Sequence, residues 1–554
     1  MPTQVEQLEA ALMAAIGRAL DSGSIKGAAP ESIKLERPKD RTHGDYASSI
    51  ALQLAKPAGM NPREVAQIIA DQLIGVDGIS KVDIAGPGFI NITLNRASQA
   101  TLVETILKST KDFGKGNALA GVKINLEFIS ANPTGPLHLG HTRWAAVGDA
   151  LGRVLTAAGA QVTREFYIND RGNQMDYFGQ SVEAVALGNP VPENGYQGEY
   201  IKDLAAAVVA QNSGIKDLPA EERFVAFREA AYQLQLMDQQ RVLDTFNTHF
   251  DVWFSERSLH DQGAVEHGME KLRAQGHVFE VDGAVWLRTT DFGDDKDRVM
   301  TKSDGSLTYF SSDTAYYINK RERGFDICIY MLGADHHGYI GRLKATAACA
   351  GDNPEYNIHV LIGQLVKIME GGEEVKLSKR AGTIITLEEL VEKVGVDAAR
   401  YTLIRYPVDT PMVMDLDVLK RNTNENPVYY VQYAHARIAA VLRNAQELGA
   451  ALELKDFDPA QLSHDRENEL LGALAEFPRV VASAAEFREP HRVARYLEEL
   501  AGTYHGFYND CRVLPMGDEQ LTALHTARLL LCTATKQVIS NGLDLLGVSA
   551  PERM

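Results

Sequence analysis

A segment rich in glycine and proline, ANPTGPLHLGH at residues 131–141, ends in two histidines at the predicted start of a helix. His138 and His141 are three residues apart, so they share one face of the first helical turn. The free N–H groups and positive dipole of a helix start attract phosphate, and two imidazole donors can stabilise charge that develops on a phosphate in a transition state. Gly140 would let an adenine or ribose ring approach the backbone. The segment predicts a nucleotide site, in preference to two histidines that only cap an exposed helix.

A second segment, VKLSKRAGT at residues 375–383, is basic and lies between glycines. Its cations are Lys376, Lys379 and Arg380, and a loop of this kind can close over a triphosphate and neutralise its charge. Alone, the segment would be better explained as a solvated basic turn. Its combination with the histidine segment favours phosphate binding.

Both segments need elements that bring them to one edge of a sheet. Alternating apolar residues predict strands at 122–130 and 161–168, with a helix from about Leu137 to Ala158 between them. A second strand–helix–strand unit begins at Asp326 and ends with a predicted strand at 357–368. Such units build a parallel sheet, and ligands of open α/β sheets bind at the carboxyl ends of the strands. The predicted fold class is therefore α/β, with a Rossmann-like parallel-sheet catalytic domain.

Composition shifts along the chain predict three domains. Residues 1–115 are expected to form a small α+β N-terminal domain that ends in a polar, glycine-rich linker at 111–121. Residues 116–420 would form the catalytic domain, with a helical insertion at about 176–250 that carries no catalytic signature and is interpreted as structural. Residues 421–554 show only helical patterns and would form an all-helical domain.

The overall composition excludes several classes of protein. The chain has 554 residues with 45% hydrophobic and 23% charged residues, which is typical of globular proteins and not of disordered or fibrous ones. A net charge of −18 argues against a general nucleic-acid coat, although a local basic face remains compatible with it. No stretch approaches the roughly 18 apolar residues of a membrane span. The cysteines form no Cys-x-x-Cys pair, which predicts a reducing cytoplasm and no structural zinc; they are Cys328, Cys349, Cys511 and Cys532.

Longer strings resemble a known family. HLGH is similar to the HIGH motif of class I aminoacyl-tRNA synthetases, and KLSKR is similar to their KMSKS loop, with Leu377 in place of the usual Met and Arg380 in place of the final Ser. The arginine-specific family, in its bacterial form, is resembled by EFISANPTGPLHLGHTR, YINDRGNQM, DRVMTKSDGSLTYFSSDTAYY, GADHHGY and VDAARYTLIR. GDYASSIALQLAK and GPGFINITL extend the likeness to the N-terminal domain, so the resemblance covers nearly the whole chain.

The resemblance implies a ligase that uses ATP with Mg²⁺ to activate L-arginine and then transfers the arginyl group to tRNA(Arg). The histidines of HLGH would stabilise the α-phosphate and the lysines of the basic loop would hold the pyrophosphate, so the implied catalytic residues are His138, His141, Lys376 and Lys379. The implied ATP contacts are Pro133, Gly135, His138, Gly140, His141, Lys376, Ser378 and Lys379.

An arginine substrate carries a permanent charge and a planar set of donors, so its pocket needs carboxylates and other acceptors. By resemblance, Tyr309 and Asp313 would bind the guanidinium, and His336 or Asp335 would line the pocket. The α-amino and carboxylate groups would be bound by Glu127, Ser130 and Asn132. Taken alone, Asp313 would be better explained as a helix cap and Glu127 as a solvated strand residue.

The resemblance also implies contacts with tRNA. The N-terminal domain would contact the tRNA elbow, with Phe89 and Asn91 as candidates, although Phe89 could equally belong to the core. The string NPVYYVQYAHARI, which begins at Asn426, mixes aromatic residues and cations in a way that suits anticodon bases. An aromatic stripe at helical spacing is more often core, so at least two of its three tyrosines are expected to be buried. The protein is expected to be a monomer.

Two alternatives stay open at this point. A class I synthetase for another amino acid, for example cysteine, would be expected to carry a zinc-binding cysteine set, which this sequence lacks. A non-catalytic tRNA-binding paralogue would be expected to have lost a histidine of HLGH or a lysine of KLSK, and all four are present.

Overall fold

The structure is a computed structural model that describes residues 4–38, 43–336, 338–375, 385–450 and 452–554, with the backbone alone at residue 4 and residues 96–100. The elements of its first part are α1 (Gln4–Asp21), β1 (Leu35–Glu36), β2 (Tyr46–Ser48), α2 (Ile50–Ala58), α3 (Pro62–Leu73), β3 (Ile79–Ala85), β4 (Phe89–Leu94) and α4 (Arg96–Ser109). The strands pair antiparallel in the order β1-β2-β4-β3. α1 and α3 pack together in a core that belongs to this unit alone and ends at Leu94.

The connection after Leu94 belongs to the body of the molecule. Leu102, Val103 and Ile106 of α4 are part of the large core that contains the C-terminal helices. The side chain of Asn541 donates hydrogen bonds to the carbonyl oxygens of Thr110 (2.9 Å) and Phe113 (3.0 Å). The stretch predicted as a linker is thus fixed in place, and its packing favours a domain boundary near residue 95 rather than 115.

The central part contains both predicted strand–helix–strand units. Its elements are β5 (Lys123–Glu127), α5 (Leu139–Ala157), β6 (Gln161–Ile168), α6 (Asn173–Leu187), α7 (Glu199–Gln211), α8 (Ala220–Thr245), β7 (Val252–Ser255), α9 (Glu256–Asp261), α10 (Ala264–Ala274), β8 (Val278–Val281), β9 (Ala284–Leu287), β10 (Arg298–Thr301), α11 (Tyr309–Glu322), β11 (Ile327–Gly333), α12 (Tyr339–Cys349), β12 (Ile358–Gly363), β13 (Val366–Glu370), β14 (Glu373–Glu374), α13 (Leu387–Val394), α14 (Val396–Ile404), β15 (Met412–Asp415) and α15 (Leu416–Leu419).

Five strands form an all-parallel sheet in the order β12-β11-β5-β6-β7. Its central residues, such as Leu126, Phe166 and Ile329, are fully buried, as expected for a sheet with both faces covered. The strand order reverses between β5 and β11, so the carboxyl ends of these strands, at Glu127 and Gly333, flank the crevice where ligands of this architecture bind. The predicted α/β fold class is confirmed.

The strand predicted at 357–368 is in fact two strands. β12 ends at Gly363, where a Cβ atom would lie 2.5 Å from the indole of Trp144, so the close approach of this ring requires glycine. The chain then turns and β13 joins a separate small sheet with β14 and β15. Another small antiparallel sheet, β8-β9-β10, precedes α11 and was not predicted.

The C-terminal part is helical in the ranges that the structure describes, with α16 (Pro427–Glu447), α17 (Asp465–Ala475), α18 (Phe477–Phe487), α19 (His491–Asp510) and α20 (Ala523–Leu545). Arg400 of α14 joins this part to the sheet domain. Its buried guanidinium lies 2.7 Å from the Asp149 carboxylate of α5 and donates to the carbonyl oxygens of Leu546 and Phe246. Burial lowers the pKa of this guanidinium.

Candidate active site

The two predicted histidines lie at the start of α5. The backbone N–H of Gly140 donates to Nδ1 of His138 at 3.1 Å, and the N–H of His138 donates to Nδ1 of His141 at 3.4 Å. The ring centroids are 4.0 Å apart. Because each Nδ1 accepts a hydrogen bond, the neutral rings carry their protons on Nε2. The site therefore presents two side-by-side Nε2–H donors, of the kind that can bind a phosphate oxygen.

The loop between β5 and these histidines is strained. Ile129 (φ 67°) and Ser130 (φ 44°) both adopt left-handed backbone conformations, which are unusual for residues with a side chain and rare for a β-branched one. Each such residue costs about 1–3 kcal/mol and persists only where its surroundings fix it. The turn directs Ser130 Oγ back to Glu127 Oε1, at 3.2 Å.

Helices of the insertion hold the next part of this loop. Gln239 of α8 donates from Nε2 to the carbonyl oxygens of Asn132 (3.1 Å) and Gly135 (2.8 Å). The hydroxyl of Tyr200 on α7 donates to the carbonyl oxygen of Thr134 at 3.1 Å. Pro133, between these anchors, is buried. The insertion therefore fixes the backbone that leads into HLGH, a role that sequence reasoning missed.

The basic loop lies outside the described residues, and with it Lys376, Ser378 and Lys379. The chain that follows it is bonded to the histidine segment. The N–H of Leu139 donates to the carbonyl oxygen of Ile385 at 3.1 Å, and the N–H of Leu387 donates to that of Leu137 at 2.9 Å. The described chain that resumes at Ile385 is thus bonded directly to the start of α5.

Three acidic residues from different elements influence one another electrostatically. Asp313 is on α11, Glu256 begins α9 and Glu127 ends β5. Burial raises the pKa of Asp313 to about 7, and the charges of Glu256 and Glu127 add to this effect, while Arg342 opposes it. Burial likewise raises the pKa of Glu256. An acidic cluster with these properties is electrostatically suited to a permanently charged guanidinium.

Glu256 was not among the predicted residues. It is separated from Asp313 by the β8-β9-β10 sheet, and the string around it, WFSERS, has no distinctive pattern. Only the pairing of β7 with β6, which brings Ser255 beside Ile168, places the following Glu256 at the same edge of the sheet.

Two other predicted pocket residues are more exposed. Tyr309 begins α11 one turn before Asp313, and its side chain is exposed, with the hydroxyl close to Gly172. His336 is also exposed. Its Nε2 lies 3.7 Å from the Asp335 carboxylate and its ring contacts Tyr339 edge to face. Asn132 donates from its amide to Gln174 Oε1 at 2.6 Å.

The two residues predicted to contact tRNA in the N-terminal unit differ in exposure. Phe89 is 37% exposed, whereas Asn91, on the same strand, is 4% exposed. Phe89 can therefore present a ring to an unstacked base, whereas Asn91 offers little surface.

The expectation that at least two tyrosines of α16 are buried was wrong. Tyr433 is exposed, and Tyr429 and Tyr430 are half-buried. The buried stripe of α16 consists of smaller residues, among them Val431, Ala434 and Ile438, so the tyrosines lie on its flank. The rings of Tyr429 and Tyr433 are nearly parallel, with centroids 6.0 Å apart.

Arg437 and His505 complete an aromatic and basic surface with these tyrosines. The guanidinium of Arg437 lies 4.1 Å from the ring centroid of Tyr508. The ring of His505 contacts Tyr430 and Tyr433. His435, by contrast, is buried and its Nδ1 is bonded to the carbonyl oxygen of Pro551.

Within the described ranges, no cluster of three or more His, Cys, Asp or Glu residues could hold a metal ion. None of the helices described there combines the length and apolar character needed to cross a bilayer.

Comparison with known proteins gives matches along the whole chain. Three family models match it: Arginyl tRNA synthetase N terminal domain at residues 6–94, tRNA synthetases class I (R), catalytic domain at 102–435, and DALR anticodon binding domain at 431–554. The arginine–tRNA ligase of Paenarthrobacter aurescens (strain TC1) is 54% identical over 99% of this chain and 100% of its own. That of Frankia alni is 55% identical over 98% and 99%, respectively. The structure of Thermus thermophilus arginyl-tRNA synthetase, 22% identical, covers 99% of this chain and 100% of its own with a TM-score of 0.76, which bears on the fold alone.

Proposed function

The chain belongs to the arginyl-tRNA synthetase family, and from this membership we infer that it joins L-arginine to its tRNA. The arginine carboxylate attacks the α-phosphate of ATP, which gives arginyl-adenylate and releases pyrophosphate. The 3′-terminal ribose hydroxyl of tRNA(Arg) then takes the arginyl group, and AMP leaves. The observation that carries this conclusion is the 54–55% identity to arginine–tRNA ligases over nearly the full length of both chains.

For the arginine pocket, we propose that Asp313 and Glu256 receive the guanidinium, with the ring of Tyr309 over it. The proposal is supported by the burial of the Asp313 carboxyl, which raises its pKa, and by the charges of Glu256 and Glu127, which add to this effect. Glu127 and Ser130 would receive the α-ammonium group. Asn132 would contact the carboxylate, and His336 would lie at the rim of the pocket.

For ATP, we propose that His138 and His141 donate from Nε2 to the α-phosphate as negative charge develops on it. Gly140 would leave room for the adenosine, and Pro133 and Gly135 would line its approach. Lys376, Ser378 and Lys379 would hold the leaving pyrophosphate; the support for this is the pair of hydrogen bonds that joins Ile385–Leu387 to the histidine segment. We propose that Mg²⁺ enters as part of the ATP substrate.

For tRNA, we propose that Phe89, which is exposed, stacks on a base of the elbow. The surface formed by Tyr429, Tyr433 and Arg437 would receive anticodon bases, because unstacked bases bind to exposed rings and cations. We further propose that the protein acts as a monomer in the cytoplasm. The mass measured by light scattering, with and without tRNA, tests whether the protein is a monomer.

The reaction is tested by charging total bacterial tRNA with each of the twenty labelled amino acids in the presence of MgATP. We expect arginine alone to be transferred. Charging with a different amino acid would overturn the pocket but leave the class I chemistry, whereas tRNA binding without any charging would favour a non-catalytic paralogue. A His138→Asn variant, expected to bind tRNA and lose charging, separates catalysis from RNA binding.

A further inference from the structure

One buried cation near the pocket has no part in the reaction described so far. Lys320 lies on α11 and its side chain has no solvent exposure. Its Nζ is 2.5 Å from Glu127 Oε2, 3.8 Å from the ring centroid of Tyr330 and 4.2 Å from that of Tyr316. A buried ammonium is costly unless it is paired, and here one carboxylate and two aromatic faces compensate its charge.

The partner carboxylate is fixed through both of its oxygens. Oε2 of Glu127 receives Lys320, and Oε1 receives the hydroxyl of Ser130. Ser130 Oγ in turn accepts the N–H of Tyr167 at 3.1 Å, which ties this pair to β6. An ionised carboxylate offers about four lone-pair positions, so Glu127 retains the capacity to accept from a substrate ammonium.

Some acidic residues of this region have a close cation partner and others do not. Glu165 of β6 has its own cation, because Arg323 donates to both of its oxygens at 2.6 and 2.9 Å. Lys320 pairs with Glu127, whereas among the described residues Asp313 and Glu256 form no ion pair as short as these two. Titratable groups that interact electrostatically with Glu127 or Lys320 include Glu165, Tyr167, Asp313, Tyr316, Cys328 and Tyr330.

We propose that Lys320 is a positioning residue for arginine: it holds the Glu127 carboxylate oriented to receive the α-ammonium group, and leaves Asp313 and Glu256 to the guanidinium. This rests on the role proposed above for Glu127. The physical reason is that Lys320 and Ser130 each fix one oxygen of this carboxylate, so that without the lysine the carboxylate can rotate away from the position that the substrate needs.

The test is Lys320→Met, which keeps most of the length of the side chain and removes the charge. We expect the KM for arginine in tRNA charging to rise about tenfold while the KM for ATP stays within about twofold. We expect kcat to stay within about threefold of the parent value. A purely structural role would lower kcat and leave the KM for arginine unchanged, and that result would overturn the proposal.

Three further variants complete the test. Lys320→Arg keeps the charge and is expected to keep the KM for arginine within about threefold of the parent value; a rise of about tenfold in this KM in the arginine variant would overturn the proposal even if Lys320→Met does not fold. In the double variant Lys320→Met/Glu127→Gln, we expect the KM for arginine to match that of Glu127→Gln alone within about twofold, because the two residues act as one unit. If the KM for arginine of the double variant instead rises by the product of the two single effects, this expectation is contradicted. Lys271→Met, which removes a surface lysine that pairs with Glu322 of α11, is the matched control.

If the parent protein does not charge arginine, the proposed function fails before the role of Lys320 is in question, so the two failures are distinguishable.

Discussion

We expect Asp313 to couple arginine binding to pH. Burial has the largest effect on the pKa of this carboxyl, and the charges of Glu256 and Glu127 add to it. Together they raise the pKa to about 7. A guanidinium pairs with the ionised form, so substrate must displace a proton whenever the pocket is protonated. We expect the KM for arginine to rise as the pH falls from about 8 to about 6, approaching tenfold per unit well below the pKa. Initial rates of charging across this pH range measure the KM for arginine, with the KM for ATP as control. A KM for arginine that does not change with pH would contradict the proposed role of Asp313.

The same residue should reduce stability in the absence of substrate. Its pKa in the folded protein, about 7, lies above the ordinary value of 3.8. The folded state therefore binds the proton more tightly than the unfolded state does. The free energy of unfolding falls as the pH rises from 3.8, the ordinary pKa, to about 7, the pKa in the folded protein. Asp313→Asn should accordingly stabilise the protein at pH 8 by up to about 4 kcal/mol, with a smaller gain at pH 5. The midpoints of urea unfolding at pH 8 and pH 5 measure this stabilisation. An equal gain in stability at both pH values would count against a raised pKa of Asp313.

Lys379 is expected to act on the leaving pyrophosphate and not on RNA. Lys379→Ala should slow ATP–pyrophosphate exchange by about 10²–10³, as for the loss of one group that stabilises transition-state charge. tRNA affinity, measured by filter binding, should stay near that of the parent. Lys367→Ala removes an exposed lysine of β13 and is the control. A large loss of RNA affinity in Lys379→Ala would count against its assigned role.

At the scale of elements, α8 of the insertion supports the proposed ATP site through the side-chain amide of Gln239. Gln239→Leu removes both hydrogen bonds to the backbone of the loop at Asn132 and Gly135. We expect the KM for ATP to rise about tenfold, because small displacements of a positioning loop are costly in rate and affinity. The neighbouring Gln240→Leu should behave like the parent. An unchanged KM for ATP in Gln239→Leu would show that the loop holds its shape without α8.

Elements with a regular local pattern could be predicted from the sequence, and those defined by a distant contact could not. The alternation in VKINLEFIS and the glycine after Ala158 were sufficient for β5 and α5. The break between β12 and β13 depends on Trp144, more than two hundred residues earlier in the chain. The candidate site shows the same difference. HLGH and Asp313 lie in distinctive sequence strings and could be predicted. Glu256, Gln239 and Lys320 lie in strings without a distinctive pattern, and only the fold brings them to the site.

At the scale of the whole molecule, Arg400 is expected to hold the helical domain on the sheet domain. Arg400→Met leaves the carbonyl oxygens of Leu546 and Phe246 without their donor, and Asp149 without its buried partner. Breaking a buried pair costs about 3–5 kcal/mol, and the lower value applies here because Arg153 still reaches Asp149 at 2.7 Å. The urea midpoint measures the loss. If the loss in an Asp149→Asn/Arg400→Met variant equals the sum of the two single losses, the coupling is contradicted.

The contacts of α4 also determine when different parts of the chain can finish folding on the ribosome. The N-terminal unit has its own core and can close soon after it emerges. The segment that follows cannot, because Thr110 and Phe113 are bonded to Asn541, which is synthesised 431 and 428 residues later. For most of translation the apolar face of α4 therefore lacks its final partner, and a nascent chain of this length is exposed to aggregation at such surfaces. Truncation of α20 should leave a soluble N-terminal unit attached to a body that chaperones retain.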